Sequence, residues 1–261
     1  MVDRSVVPGK VIMLADRNYE SCNNLGHLEK KGWNYLIRIR DRDRVTAYGI
    51  PLPDQPEFDI PVRLTLGRLT QRQLEARGIV VPEPYYRIPP NMVFDFLELD
   101  SPDFYVISFR IVRLLTGGGS LETLITNLDA QQFPISVLGQ LYAMRWGIET
   151  SFRSLKYAVG LIHLHAKKPN LVLQEIFSSC LIFNFTQATT WAVGPSLSTS
   201  KYKHHVNFSD AVSACCIFLR DSAADPLPLL RRKLLPSRPG RASPRPKITG
   251  NRISSCYASA R

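Results

Sequence analysis

Apolar and polar positions follow two different periods along this chain, and the changes from one to the other divide it. Val11–Ala15 ("VIMLA") is a short unbroken apolar run ending in Asp16, the pattern of a strand buried on both faces in the parallel part of an α/β sheet. In "NYESCNNLGHLEKKGW", Cys22, Leu25 and Leu28 recur at helical spacing and Gly32 supplies a stop. "WNYLIRIR" then alternates, with Tyr35, Ile37 and Ile39 on one side and Leu36, Arg38 and Arg40 on the other, which predicts a half-exposed strand. Strand, helix and strand together make one βαβ-sized unit.

From Asp41 to about residue 130 the period is two. "RVTAYGI", "IPVRLTL", "MVFDFLEL", "FYVISFRIVRLL" and "LETLITNL" predict strands, separated by turn-rich pieces such as "PLPDQPEFD", "IPPN", "DSPD" and "TGGGS". Gly117–Gly119 lacks a following Gly-Lys-Ser/Thr and lies between two such segments, so it reads as a hairpin turn rather than a phosphate loop. From about Ser136 the pattern turns helical, through "LYAMRWGIETSFRSLK" and "LQEIFSSCLIFNFTQATTWAV" to "FSDAVSACCIFLRDSA". The predicted class is mixed α/β. Residues 1–40 form a first α/β part, 41–130 a β-rich insertion, 131–225 a helical part and 226–261 a Pro- and Arg-rich tail.

Charge sharpens that division. The net charge is +11, but residues 231–261 hold nine Lys or Arg and no acidic residue, leaving about +2 on everything before them. A basic tail on a nearly neutral body suits a polyanion such as nucleic acid, or is a solvated extension. No apolar run is long enough to span a membrane, and Val11–Ala15 is too short for a signal peptide. Five cysteines without paired spacing point to reduced thiols. His163 and His165, two apart with no Cys or carboxylate at ligand spacing, make no metal motif.

Two stretches hold candidate chemistry. A carboxylate at the C-terminal end of a buried strand, as Asp16 is, stands where open α/β sheets place their sites, although it also suits an N-cap. In "LYAMRWGIETSFRSLK", Tyr142, Arg145, Glu149 and Lys156 fall within roughly 60° of one helical face at about 100° per residue. Leu141, Met144, Ile148, Phe152, Leu155 and Val159 occupy the neighbouring arc as a buried stripe. An i, i+4 pair of Glu149 with Arg153 would account for those two side chains but not for the other three.

The spacing Tyr-x2-Arg-x3-Glu-x6-Lys resembles the signature of the insertion-sequence-four group of bacterial DDE transposases. "LITNLDAQQFPISVLGQLYAMRWGIETSFRSLKYAVGLIHLHAKKPNLVLQEIF", "PGKVIMLADRNYES" and "RPGRASPRP" are similar to that family as well. The resemblance implies a ribonuclease-H-like core interrupted by the β-rich insertion. It implies metal-dependent cleavage and strand transfer at insertion-sequence ends, with Mg²⁺ (or Mn²⁺) as cofactor. Asp16 and Glu149 would be its second and third catalytic, metal-binding carboxylates. Tyr142, Arg145 and Lys156 would contact DNA phosphates, with Arg153 and Arg17 as further cations. The implied partners are double-stranded DNA, as terminal inverted repeats and target, and a second copy in a synaptic complex, in the cytoplasm at the nucleoid. The family's first Asp lies on a core strand upstream of the second, whereas fifteen residues precede Asp16 here. The expectation is a partial ribonuclease-H-like core with an unpaired apolar sheet edge and impaired catalysis. The alternative is a non-catalytic DNA-binding remnant of a transposase.

Overall fold

The computed structural model of the chain describes residues 2–42, 44–116, 119–194 and 204–236. They belong to two compact units, Met1–Glu149 and Thr150–Arg261. The basic tail beyond residue 236, and Cys256 with it, lies outside the described residues.

The first unit is built on one mixed sheet. Strand β1 (Ile12–Ala15) runs into a short 3-10 turn and helix α1 (Cys22–Lys30), then β2 (Asn34–Arg38). A two-residue pair, β3 (Asp41–Arg42) with β4 (Val45–Thr46), precedes β5 (Phe58–Gly67), helix α2 (Gln71–Glu75), β6 (Tyr85–Arg87), β7 (Tyr105–Leu115) and β8 (Leu121–Thr126). The six-stranded order is β1-β2-β8-β7-β5-β6. β1 and β2 are parallel, as the α1 crossover requires; β2–β8, β8–β7 and β7–β5 are antiparallel, and β5–β6 is parallel. The class is mixed α/β, as the two periods predict.

Each strand's alternation serves two cores. Tyr35, Ile37, Ile111 and Ile125 face α1, where Leu25 and Leu28 meet them. Leu36, Val112 and Leu124 face the other way, against Leu138 and Tyr142 of helix α3 (Ile135–Ala143). β2 is therefore buried on both sides at Tyr35, Leu36 and Ile37, where alternation predicts a half-exposed strand. The reverse holds for β1, expected to be buried on both faces: only Ala15 is, because β1 is the last strand of the sheet. Asn127 stitches β2 to β8, donating to the Trp33 carbonyl (3.1 Å) and accepting the Tyr35 N–H (2.9 Å).

Two local expectations are met and one is not. β7 and β8 form the predicted hairpin, closed where the Thr116 N–H donates to the Ser120 carbonyl (2.8 Å). α1 is the helix expected after Asp16, with Ser21 as its N-cap and Gly32 just past its end at φ +67°. "MVFDFLEL" is not a strand. The buried Arg68 guanidinium donates to the carbonyls of Pro89, Met92, Phe94 and Leu97, so that segment wraps one cation instead of pairing in a ladder.

In the second unit, α4 (Trp146–Arg153, begun in the first) continues into a π-helical turn, Ser154–Ala158, followed by α5 (Pro169–Val193), α6 (Phe208–Arg220) and α7 (Pro226–Arg232). A short pair, β9 (His204–His205) with β10 (Leu235–Pro236), accompanies them. Val193, Ala211, Ala214 and Leu230 form a small core. Among the described residues no helix is long and apolar enough to cross a membrane.

Candidate functional site

Asp16 follows directly on β1, as the apolar run predicts. Its carboxylate accepts the Arg17 N–H (2.7 Å) and caps a 3-10 turn, Arg17–Tyr19. The last register pair of β1 with β2 is Ala15–Ile37, so Asp16 and Arg38 leave neighbouring parallel strands at the same end. The Arg38 Nε is paired with Glu122 of β8 at 2.8 Å. Nothing local in the sequence marks Arg38 or Glu122, because their meeting depends on the pairing of β2 with a strand far away in the chain.

The Tyr142–Arg145–Glu149 group reaches the same place from the α3 side. Tyr142 is in the last turn of α3 with its ring in the core. Arg145 lies in a break between α3 and α4, where the Met144 and Arg145 N–H groups bond three residues back instead of four. Its guanidinium donates to Glu149 Oε1 (3.0 Å) and lies over the Trp146 ring, 4.9 Å from the centroid. Two donors in this group are buried without an acceptor among the described residues: the Tyr142 hydroxyl and Arg145 Nε. Leaving such a donor unpaired costs about 1–3 kcal/mol, so each calls for a reason.

The electrostatics tie these side chains together. Burial pushes the Tyr142 phenol up to about 12, against the lowering pull of Arg145 and Arg38, with Glu122 and Asp16 adding to the rise. Burial works against the Arg145 charge, yet the hydrogen bond to Glu149, together with Tyr142, Glu149 and Asp16, holds it above its ordinary value. Asp16, Arg38, Glu122, Tyr142, Arg145 and Glu149 thus form one electrostatic cluster at the carboxyl end of β1 and β2.

The single straight helix expected over residues 141–156 is interrupted twice, at Met144–Arg145 and by the π-helical turn that contains Lys156. A π turn adds a residue per turn and rotates the positions beyond it, so the 60° arc does not hold from Tyr142 to Lys156. Arg153 and Lys156 belong to the second unit. Glu149 pairs with Arg145, not with Arg153. The stripe expected to be buried is exposed at Met144, Ile148 and Phe152.

Among the described residues no three His, Cys, Asp or Glu side chains form a group able to hold a metal ion. Asp16 is occupied by a backbone N–H and Glu149 by a guanidinium. The carboxylates present do not by themselves fit Mg²⁺, which prefers an octahedron of oxygens.

Comparison with known sequences decides the family. A family model, the transposase DDE domain, matches residues 2–185. The chain belongs to that family. The DDE domain match takes in β1, the whole sheet and α3, α4 and most of α5, and so the complete cluster around Asp16. The chain is also 28% identical over 152 residues to the transposase InsG for insertion sequence element IS4 of Escherichia coli (strain K12), covering 53% of this chain. It spans about a third of that relative's length, at 34%.

Proposed function

We propose that this chain acts in DNA transposition by gripping the DNA backbone at the cluster beside Asp16. The carrying observation is the pair of buried donors without acceptors, the Tyr142 hydroxyl and Arg145 Nε. Phosphate oxygens are the acceptors that would satisfy both, and an arginine fork suits them best. Lys156 and Arg153, in the second unit, are further cations for DNA phosphates. The parallel β1–α1–β2 crossover, with α3 on the opposite face, supports a ribonuclease-H-like core. In this reading Asp16 and Glu149 are two of the carboxylates of a phosphodiester-cleavage site. The substrate is double-stranded DNA at insertion-sequence ends and targets, held by two copies in a synaptic complex in the bacterial cytoplasm.

The uncompleted donor set favours DNA binding without cleavage by the described residues alone. The test is a purified chain titrated with a labelled duplex carrying an insertion-sequence end, with Mg²⁺ or Mn²⁺ present. The expected outcome is binding that weakens steeply with salt, no cleavage, and affinity largely retained in Glu149→Ala. Failure to bind duplex at low salt would sink the DNA reading. Metal-dependent cleavage that Glu149→Ala abolishes would replace it with a working nuclease.

A further inference from the structure

Beside the Asp16 cluster, past the carboxyl ends of β1 and β2, the first unit has a cavity of about 440 Å³ whose lining includes Arg17, Arg38 and Arg40. Three arginines from two strand ends converge there because β1 and β2 are parallel and in register up to Ala15–Ile37.

The carboxylates near the cavity each hold a donor, although Glu20 Oε1 is buried without one among the described residues. Asp41 accepts the Thr123 hydroxyl (2.7 Å) and an Arg113 guanidinium N–H. Glu122 holds Arg38 Nε. Glu20 accepts the backbone N–H of Arg40 at 2.8 Å. The guanidinium groups of Arg17 and Arg40 make no ion pair among the described residues, and both residues are exposed. A cavity lined by three guanidinium forks, one fixed by a carboxylate and two without an ion pair, Glu20 acting on Arg40 only at longer range, suits a tetrahedral oxyanion.

We propose that this cavity is a phosphate subsite. It takes a backbone phosphate of the same DNA strand that lies at Asp16, with Arg17 and Arg40 as the contacts. Arg38, pinned by Glu122, forms the wall between this subsite and the Tyr142–Arg145 cluster. The assignment rests on the DNA-binding reading above and extends it to residues outside the Tyr-Arg-Glu-Lys spacing.

The experiment compares the full chain with Arg17→Gln/Arg40→Gln in two titrations, one with a labelled duplex of about 20 base pairs and one with inorganic phosphate. Salt is varied in the first, since each phosphate contact contributes about one unit to the slope of log affinity on log salt. The double variant is expected to bind the duplex about tenfold more weakly, with a slope shallower by about 1. Arg17→Lys/Arg40→Lys keeps the charge and should recover the slope. Arg72→Gln/Arg77→Gln, which removes two exposed charges at and after α2, should leave both affinity and slope unchanged. Circular dichroism of all variants separates loss of fold from loss of contact. Unchanged duplex affinity, slope and inorganic-phosphate binding in a folded Arg17→Gln/Arg40→Gln protein overturns the subsite while leaving the DNA reading intact. Loss of inorganic-phosphate binding with duplex binding untouched overturns the DNA source of the anion. A wild-type chain that binds no duplex removes both proposals together.

Discussion

Tyr35 and Ile37 point from β2 toward α1, while Leu36 and Arg38 point toward α3, and the two faces of the sheet differ in what they contain. The α1 face is an extended core: Leu25, Leu28, Ile107, Ile111 and Ile125 are fully buried, and aromatic rings from β6, β7 and the 94–96 loop close it. The α3 face has a smaller apolar cluster and gives way to charge at its margin. Arg110 grips Asp59 and donates to the carbonyls of Leu128 (2.8 Å) and Phe133. Arg38, Glu122, Tyr142 and Arg145 gather where Asp16 stands. The same strands thus provide packing on one side and a polar site on the other. The sheet tolerates uncompensated donors on the α3 side because the α1 side supplies the stability.

The largest effect is expected from Ile111→Ala on the α1 face. It leaves a cavity in the central strand β7 and should cost about 3–4 kcal/mol in denaturant unfolding. A loss below about 1 kcal/mol would mean that the α1 face is not the stabilising one.

The next effect is smaller and depends on pH. Burial pushes the Glu29 carboxyl from 4.5 up to about 7. A raised carboxyl pKa means that the folded state favours the protonated form. The contribution is full below pH 4.5 and is lost as pH rises through about 7. Glu29→Gln should therefore stabilise by on the order of 1 kcal/mol at pH 8, allowing for solvent screening, and by almost nothing at pH 4. An equal gain at both pH values would rule out the burial effect.

An effect of similar or smaller size is expected on the α3 face. Tyr142→Phe deletes a buried hydroxyl without a partner, so unfolding free energy near pH 7 should rise by about 1 kcal/mol, the low end of the cost of an unpaired buried donor. The phenol rises from 10 to about 12 in the folded state, so its contribution is intact below pH 10 and fades as pH climbs through 12. Stability curves taken from pH 9 to 12 should show a steeper alkaline decline in the wild type than in Tyr142→Phe. Parallel curves would contradict the burial of that hydroxyl.

These contrasts show which features a sequence can reveal. The β7–β8 hairpin is legible because its alternation, its length and the Gly-rich connection all agree. Asp16 is legible because a chain-local signal, an apolar run ending in an acid, coincides with a strand end. Residues 92–99 mislead because alternation indicates a strand only where a ladder partner exists, and here the partner is Arg68, a side chain. β2 looks half exposed because Arg38 and Arg40 fall at its end, while its centre is covered on both faces. The breaks around Arg145 and Lys156 are invisible in the sequence because 3-10 and π turns change the rotation per residue without an identifying composition. Arg38 and Glu122 enter the site through strand pairing alone.

The seam between β2 and β8 also bears on how the chain acquires its fold. β1, α1 and β2 are neighbours in sequence, and β7 with β8 is a simple hairpin, so each can form over short loops. The Asn127 side chain, by contrast, reaches the Trp33 carbonyl across a sequence separation of 94 residues. Loop-closure entropy disfavours that contact until the meander between them is built, and high contact order slows folding. The topology therefore predicts two early-forming halves, a βαβ unit and an antiparallel meander, whose joining at β2–β8 limits the folding rate. Because Arg38 and Glu122 straddle this seam, the site beside Asp16 takes shape only in that last step.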